Sequence, residues 1–263
     1  MPFGVSSNGV SVMEDTMESV WQANTKLPGF SKLDRDTKTD VLIIGGGIAG
    51  ILTAYFLYQN GVEYILVEKN RICSSTTQNT TAKITFQHGF IYQKILKSSS
   101  IEAAQKYLNV NKIAFEKYAE MCHNIECDYE IKDNYVYSIS DRKKLESEMN
   151  ALRKIGYKAE FCENLPILIK TVGAVKFPKQ AQFNPLEFIS TIASGLNIYE
   201  NTFVREMIGT TAITDKCRIK ADKVIVTTHF PFITKHGSYF LKLYQHRSYV
   251  IALEHATDVN GMY

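Results

Sequence analysis

Thr39-Asp40-Val41-Leu42-Ile43-Ile44-Gly45-Gly46-Gly47-Ile48-Ala49-Gly50 opens a stretch that closes on Tyr64-Ile65-Leu66-Val67-Glu68 and decides the fold. Val41 to Ile44 is short, apolar and rich in β-branched residues, as a strand buried on both faces should be. The glycines follow at once as G-x-G-x-x-G. Ile51, Leu52, Ala54, Tyr55 and Leu57 then recur at helical spacing, Gly61 ends the helix, and Val62 to Val67 is a second buried strand. This is a complete βαβ unit. Gly45 allows the tight turn, Gly47 lets a pyrophosphate approach the backbone, and Gly50 lets the helix lie close on the strand. The helix N-terminus presents amides and a positive dipole end to phosphate. Glu68, about 20 residues past the glycines, suits a ribose 2′-OH. The stretch predicts a dinucleotide site; a glycine-rich turn with no ligand is the bland alternative.

Composition sets outer bounds. The 263 residues suffice for one or two domains, and 45% apolar with 22% charged residues is ordinary for a globular protein. A net charge of +3 points to neither nucleic acid nor a membrane surface. Arg142-Lys143-Lys144 reads as a solvated helix face. Cys73, Cys122, Cys127, Cys162 and Cys217 are odd in number and never spaced C-x-x-C. That predicts a reducing cytoplasm, no disulfide frame and no metal site. No apolar run approaches the roughly 20 residues of a membrane span.

Residues 1–38 read as an arm on the body of the protein; before Asp15 a disordered leader is the equal alternative. After Glu68 comes a hydroxyl-dense loop, Ser74-Ser75-Thr76-Thr77-Gln78-Asn79-Thr80-Thr81-Ala82-Lys83-Ile84-Thr85. Such a loop supplies the donors a pyrophosphate and a flavin edge require, or is a polar surface loop. Helices are expected at Ile91 to Leu96 and Ile101 to Cys122. A hairpin is expected around Asp133-Asn134, then a helix capped by Asp141, and strands at Tyr157 to Cys162 and Gly173 to Phe177. Asn184-Pro185 opens another helix. Strands follow at Asn197 to Tyr199 and Thr202 to Ile208, with a hairpin of Thr210 to Ile213 and Cys217 to Ile219. Asp222 to Thr227 is again a buried parallel-type strand. Arg247 to Glu254 alternates like a strand. Asn260-Gly261 then signals a hairpin whose returning strand begins at Met262, so the chain is expected to be the N-terminal piece of a longer protein.

With these residues placed, the chain resembles the D-amino-acid oxidase, or glycine oxidase-like, family of FAD-dependent oxidoreductases. It is most similar to the bacterial branch often fused to a C-terminal Rieske domain. The resemblance rests on Asp40 to Gly50, on Asn79 to Thr85 with Gln87-His88-Gly89, on Thr228-His229-Phe230-Pro231-Phe232, and on Gln245-His246-Arg247-Ser248-Tyr249. It implies an α/β fold: a doubly wound, Rossmann-like FAD-binding domain at 39–125 and 185–232. An inserted α+β substrate domain, truncated at its C-terminus, would occupy 126–184 and 233–263.

It implies FAD in extended form. Gly45, Gly47, Ile48, Ala49 and Gly50 would hold the pyrophosphate, Glu68 the adenosine ribose, and Lys69 would sit beside the adenine. Thr76, Thr77, Thr80, Thr81, Ala82 and Lys83 would wrap the pyrophosphate and flavin. Val204 would meet the adenine through its backbone, and Thr227 and Thr228 would line the cleft. Relatives tend to have glycine near Ser75, a departure in this chain.

The implied reaction oxidises a C–N bond of an amine or amino acid by hydride transfer to flavin N5, giving an imine. His88 and Lys83 would stabilise charge on the reduced flavin, or would merely fix the loop. Arg247 would pair with a substrate carboxylate, or with neighbouring backbone. Two alternatives stand beside this: an NAD-dependent dehydrogenase, and a truncated flavin-binding protein without turnover. A Rieske [2Fe-2S] domain is the expected partner in a full-length chain.

Overall fold

The computed structural model describes residues 18–230, 232, 239–244, 246, 248–253 and 255–263. The chain divides into two compact units, residues up to 80 with 185–254, and 81–184 with 255–263.

The first unit begins with α1 (Val20–Asn24), β1 (Thr37–Ile44), α2 (Ile48–Gln59) and β2 (Tyr64–Val67). Leu42, Ile43 and Leu66 are fully buried, which explains the near-continuous apolar reading of both strands. α2 ends at Gly61 with φ +65°, the left-handed position that glycine fills without strain.

The second unit holds β3 (Lys83–Ile84), α3 (Ile91–Ser98), α4 (Ile101–His123), β4 (Glu130–Tyr137), α5 (Arg142–Lys154), β5 (Glu160–Cys162) and β6 (Ala174–Gln182). β4 runs antiparallel along one edge of β6, while β3 and β5 share the other edge. The face bearing Val175 and Phe177 packs on α3, α4 and α5 through Tyr92, Leu108, Leu145 and Leu152. Tyr92 and Tyr157 both stack on Phe177.

The chain then returns to the first unit with α6 (Pro185–Ala193), β7 (Ile198–Tyr199), β8 (Val204–Ile208), β9 (Thr211–Thr214) and β10 (Arg218–Val226). The sheet order is β7-β2-β1-β10-β9-β8. The first four strands are parallel, and β8 and β9 extend the sheet as an antiparallel hairpin. The α/β class and the doubly wound parallel core agree with the sequence.

Four expectations are corrected. Residues 81–125 group with the second unit rather than the nucleotide domain, because α3 and α4 bury their apolar faces on α5 and β6. There is no hairpin at Asp133-Asn134: β4 is one strand with a bulge between Lys132 and Asn134, where Asp133 Oδ1 accepts the Lys179 amide. Residues 248–253 form no strand. Met262 instead bridges β4 in parallel, through Tyr135 N–H to Met262 C=O at 2.7 Å and Met262 N–H to Asp133 C=O at 2.9 Å. Accordingly 255–263 belongs to the second unit, and the described residues between 239 and 253 belong to the first. The leader before Asp15 lies outside the described residues.

One buried charge organises the second unit. α3 has no side-chain cap of its own. Glu148 reaches in from α5, and its carboxylate accepts the amides of Tyr92 at 3.1 Å and Gln93 at 2.9 Å. Glu148 is fully buried. Burial holds its pKa above the ordinary 4.5, against the pull of those two amides. A raised folded-state pKa means that the folded chain holds its proton longer than the unfolded one. Stability from this group is therefore lost as pH rises from 4.5 through the folded value. Expected: Glu148→Ala unfolds with a loss of roughly 2–3 kcal/mol, from two buried amides left unpaired. The denaturant-melt difference between wild type and Glu148→Gln should shift against wild type from pH 4.5 to 7, and a pH-independent difference refutes the assignment.

Candidate functional site

The carboxyl ends of the four parallel strands converge, the place where open α/β sheets take ligands. β1 delivers Gly45-Gly46-Gly47, β2 Glu68, β7 Glu200 and β10 Thr227. Backbone contact sets the geometry. Gly45 sits at φ +115°, where a Cβ would meet the Thr227 carbonyl oxygen at 2.8 Å. A Cβ on Gly50 would lie 1.9 Å from the Gly45 carbonyl oxygen. Thr227 locks this approach, its Oγ1 donating to the carbonyls of Ile44 (3.0 Å) and Gly45 (2.8 Å).

Gly47 differs. It caps α2 in extended backbone with no side-chain cap bond. A Cβ there would meet only Thr77 Oγ1, at 3.5 Å. The first helical bond runs from Ile51 N–H to Gly47 C=O, so the amides before it are left over by the helix. Thr77 takes one, accepting Ile48 N–H at 3.1 Å. The result is an open, donor-rich helix end suited to a pyrophosphate.

Glu68 stands over the turn. Its Oε2 accepts Gly46 N–H at 2.7 Å and its Oε1 accepts Asn70 N–H at 2.9 Å. Each oxygen retains a second lone pair, so a ribose hydroxyl fits without displacing either amide. A dinucleotide thus fits the residues present.

The remaining expected residues distribute as follows. Thr76 and Thr77 belong to a turn ending at the 3-10 segment Thr77–Asn79, with Thr77 buried and Thr76 and Lys69 exposed. Val204 is buried at the start of β8. Thr228 Oγ1 bonds the Phe230 carbonyl at 3.0 Å. Thr76, Thr77 and Thr80 lie in the first unit, but Thr81, Ala82, Lys83 and His88 lie in the second. Lys83 Nζ donates to the Tyr263 main-chain oxygen at 2.8 Å, and burial lowers its pKa. His88 Nδ1 meets Tyr107 Oη at 2.6 Å, and burial lowers its pKa as well. Arg247 lies outside the described residues. Near Ser75, where relatives tend to have glycine, Cys73 has φ +55°, a conformation glycine adopts freely. Burial pushes the Cys73 thiol up to about 12, so it is not a nucleophile.

Sequence reasoning missed Glu200. It is 1% exposed and accepts the amides of Ile72 (2.8 Å) and Phe30 (3.2 Å) while pairing with Arg71 Nε at 3.2 Å. The available signal was its position directly after a parallel strand, like Glu68. Among the described residues, no group of three or more His, Cys, Asp or Glu could hold a metal ion, and no helix is long and apolar enough to cross a membrane.

Residues 40–262 match the family model described as FAD dependent oxidoreductase (DAO). The Bacillus subtilis (strain 168) protein YhfW, provisionally named a Rieske 2Fe-2S iron-sulfur protein, is 33% identical over 264 residues, 95% of this chain and 52% of that protein. This chain therefore spans about half the length of that relative. Among solved structures, glycine oxidase from Bacillus cereus ATCC 14579 aligns with TM-score 0.54 and 23% identity, over 77% of this chain and 58% of that one. L-proline dehydrogenase from P. horikoshii aligns with TM-score 0.58 and 19% identity, over 73% and 53%. L-amino acid deaminase from Proteus vulgaris aligns with TM-score 0.59 and 17% identity, over 77% and 50%. At these identities the structural likeness concerns the fold.

The two glycines make separable predictions. Gly47→Ala should melt like wild type, because its Cβ enters open space, yet lose affinity for a pyrophosphate. Gly50→Ala should lose more than about 2 kcal/mol of stability, because backbone must move. Thermal melts of the two variants check this, and equal melting points sink the distinction.

Proposed function

The chain belongs to the FAD-dependent oxidoreductase family, and from that premise we propose that it oxidises the C–N bond of a small amine or amino acid. The observation that carries the reading is the helix end at Gly47, open where a Cβ would sit and flanked by Glu68. We assign the pyrophosphate to Gly45, Gly47 and Gly50 with Ile48 and the Ala49 amide; Ile48 acts by way of Thr77, whose hydroxyl accepts the Ile48 N–H and can donate its own proton. The ribose goes to Glu68, the adenine side to Lys69 and Val204, and the rest of the cofactor to Thr76, Thr77, Thr80, Thr81, Ala82, Lys83, Thr227 and Thr228. Bound FAD would accept the hydride and its electron pair from the substrate carbon.

The chain's own groups would orient and neutralise. Glu68 binds hydroxyl without moving, since its carboxylate is already fixed by two amides. Thr77 offers a hydroxyl already aimed at the helix end. Lys83 supplies positive charge for developing negative charge, and Arg247 recognises a substrate carboxylate. For His88 the bond to Tyr107 favours holding the Gln87-His88-Gly89 loop over proton transfer. A Rieske centre in a longer chain is the proposed electron partner, resting on the named relative. A cytoplasmic setting is proposed from the odd number and scattered spacing of the five cysteines.

The test is a titration of the purified chain. FAD should be taken up with a shifted visible spectrum, and NAD should not compete. Glu68→Gln keeps one acceptor but loses the charge, so FAD affinity should fall by about 1–2 kcal/mol, roughly 5- to 30-fold. Uptake of NAD without FAD refutes the proposal, and an unchanged dissociation constant in Glu68→Gln refutes the ribose assignment.

A further inference from the structure

The hydroxyl-rich loop after Glu68 has few apolar anchors. Thr77 is buried, but Ser74, Ser75, Thr76 and Asn79 face solvent. Thr77 Oγ1 accepts Ile48 N–H at 3.1 Å, which leaves its own hydroxyl proton to donate to an anion, and this geometry needs the loop held in place. One tie runs from Cys73 N–H to the Gly46 carbonyl at 2.9 Å, and a segment outside the loop adds others.

The N-terminal arm does so at several points. Trp21 Nε1 donates to the Thr80 carbonyl at 2.9 Å, across 59 residues of sequence. α1, which carries Trp21, is held by a complete capping box: Gln22 N–H bonds Ser19 Oγ, and Ser19 N–H bonds Gln22 Oε1. Further along, Lys26 C=O accepts Ser190 Oγ–H from α6 at 3.3 Å. Arg71 donates to the carbonyls of Leu27 (3.4 Å) and Pro28 (3.2 Å). Phe30 N–H closes on Glu200, the buried carboxylate that also holds Ile72.

We propose that the arm is a strap that pre-sets the cofactor loop, with Trp21 as its positioning residue acting on Thr77 through Thr80. The inference rests on the FAD reading above. Trp21 removes conformational freedom from the loop before binding, so the ligand need not pay for the ordering. Loss of the indole N–H removes the tie between α1 and Thr80 and lets the turn at Thr77 drift from α2.

Trp21 is the only tryptophan in the chain, so its indole N–H gives one identifiable resonance in an amide correlation spectrum. In wild type this proton should exchange slowly with solvent. Trp21→Phe keeps a ring in place and removes the donor; its FAD dissociation constant should rise about fivefold, the factor carried by one neutral hydrogen bond. The double variant Trp21→Phe/Thr77→Ala should bind FAD no worse than Thr77→Ala alone, within twofold, because both act through one hydroxyl. If Trp21→Phe fails to fold, Ser19→Ala and Gln22→Ala loosen α1 without touching the indole and should raise the constant in the same direction. An unchanged constant, strictly multiplicative effects with Thr77→Ala, or a fast-exchanging indole proton overturns the proposal. Wild-type protein that takes up no FAD refutes the cofactor reading instead, and indole exchange then decides the strap by itself.

Discussion

Everything at the nucleotide end depends on one close approach of backbone to backbone. α2 lies so near the end of β1 that no side chain fits between Gly50 and the Gly45 carbonyl, and β10 closes the same space from the other side through Thr227. This constraint fixes the direction of α2 and therefore where its unused amides point. It also makes the three glycines unequal. Gly45 and Gly50 are required by packing, whereas the space beside Gly47 is open, as the proposed cofactor site demands. A pattern that looks like one motif in sequence is two physical demands in space.

The second constraint is electrostatic. Two carboxylates, Glu68 and Glu200, end neighbouring parallel strands, and each is bound by two backbone amides. Glu200 is tied inward to the arm and to Arg71, while Glu68 overhangs the glycine turn. Thr202 N–H bonds the Glu68 carbonyl and Glu68 N–H bonds the Tyr199 carbonyl, so the two loops are tied together. The second unit repeats the device with Glu148, which finishes a helix belonging to another segment. In all three cases a carboxylate is withdrawn from solvent, fully at Glu148 and Glu200 and partly at Glu68, where several donors meet it, which is the condition for burial to be tolerated.

The legible parts of the fold were those governed by local pattern. The βαβ unit, the Asp141 cap and the parallel strand at β10 follow from apolar periodicity, capping chemistry and β-branched runs. The Asp133-Asn134 region looked like a hairpin because turn-forming residues usually mark one; here a bulge absorbs them, since β6 is long enough to pair β4 on both sides of it. Residues 81–125 looked continuous with the nucleotide domain because nothing local reveals which neighbour a helix will bury its face against. Glu200, Trp21 and Glu148 were invisible as functional groups for the same reason. Their partners lie 128, 59 and 56 residues away.

The strand order has a consequence for how the chain is made. β1 pairs with β2 within a few turns of chain, but its other edge is completed only by β10, about 180 residues later. At ribosomal rates of about 5–20 residues per second, that edge waits on the order of 10–40 s for its partner. Through this interval the apolar run Val41 to Ile44 presents unpaired backbone to the cell, the kind of surface that templates aggregation. The second unit's main segment, 81–184, is synthesised entirely within the wait, and it can bury its own core before the first sheet can close.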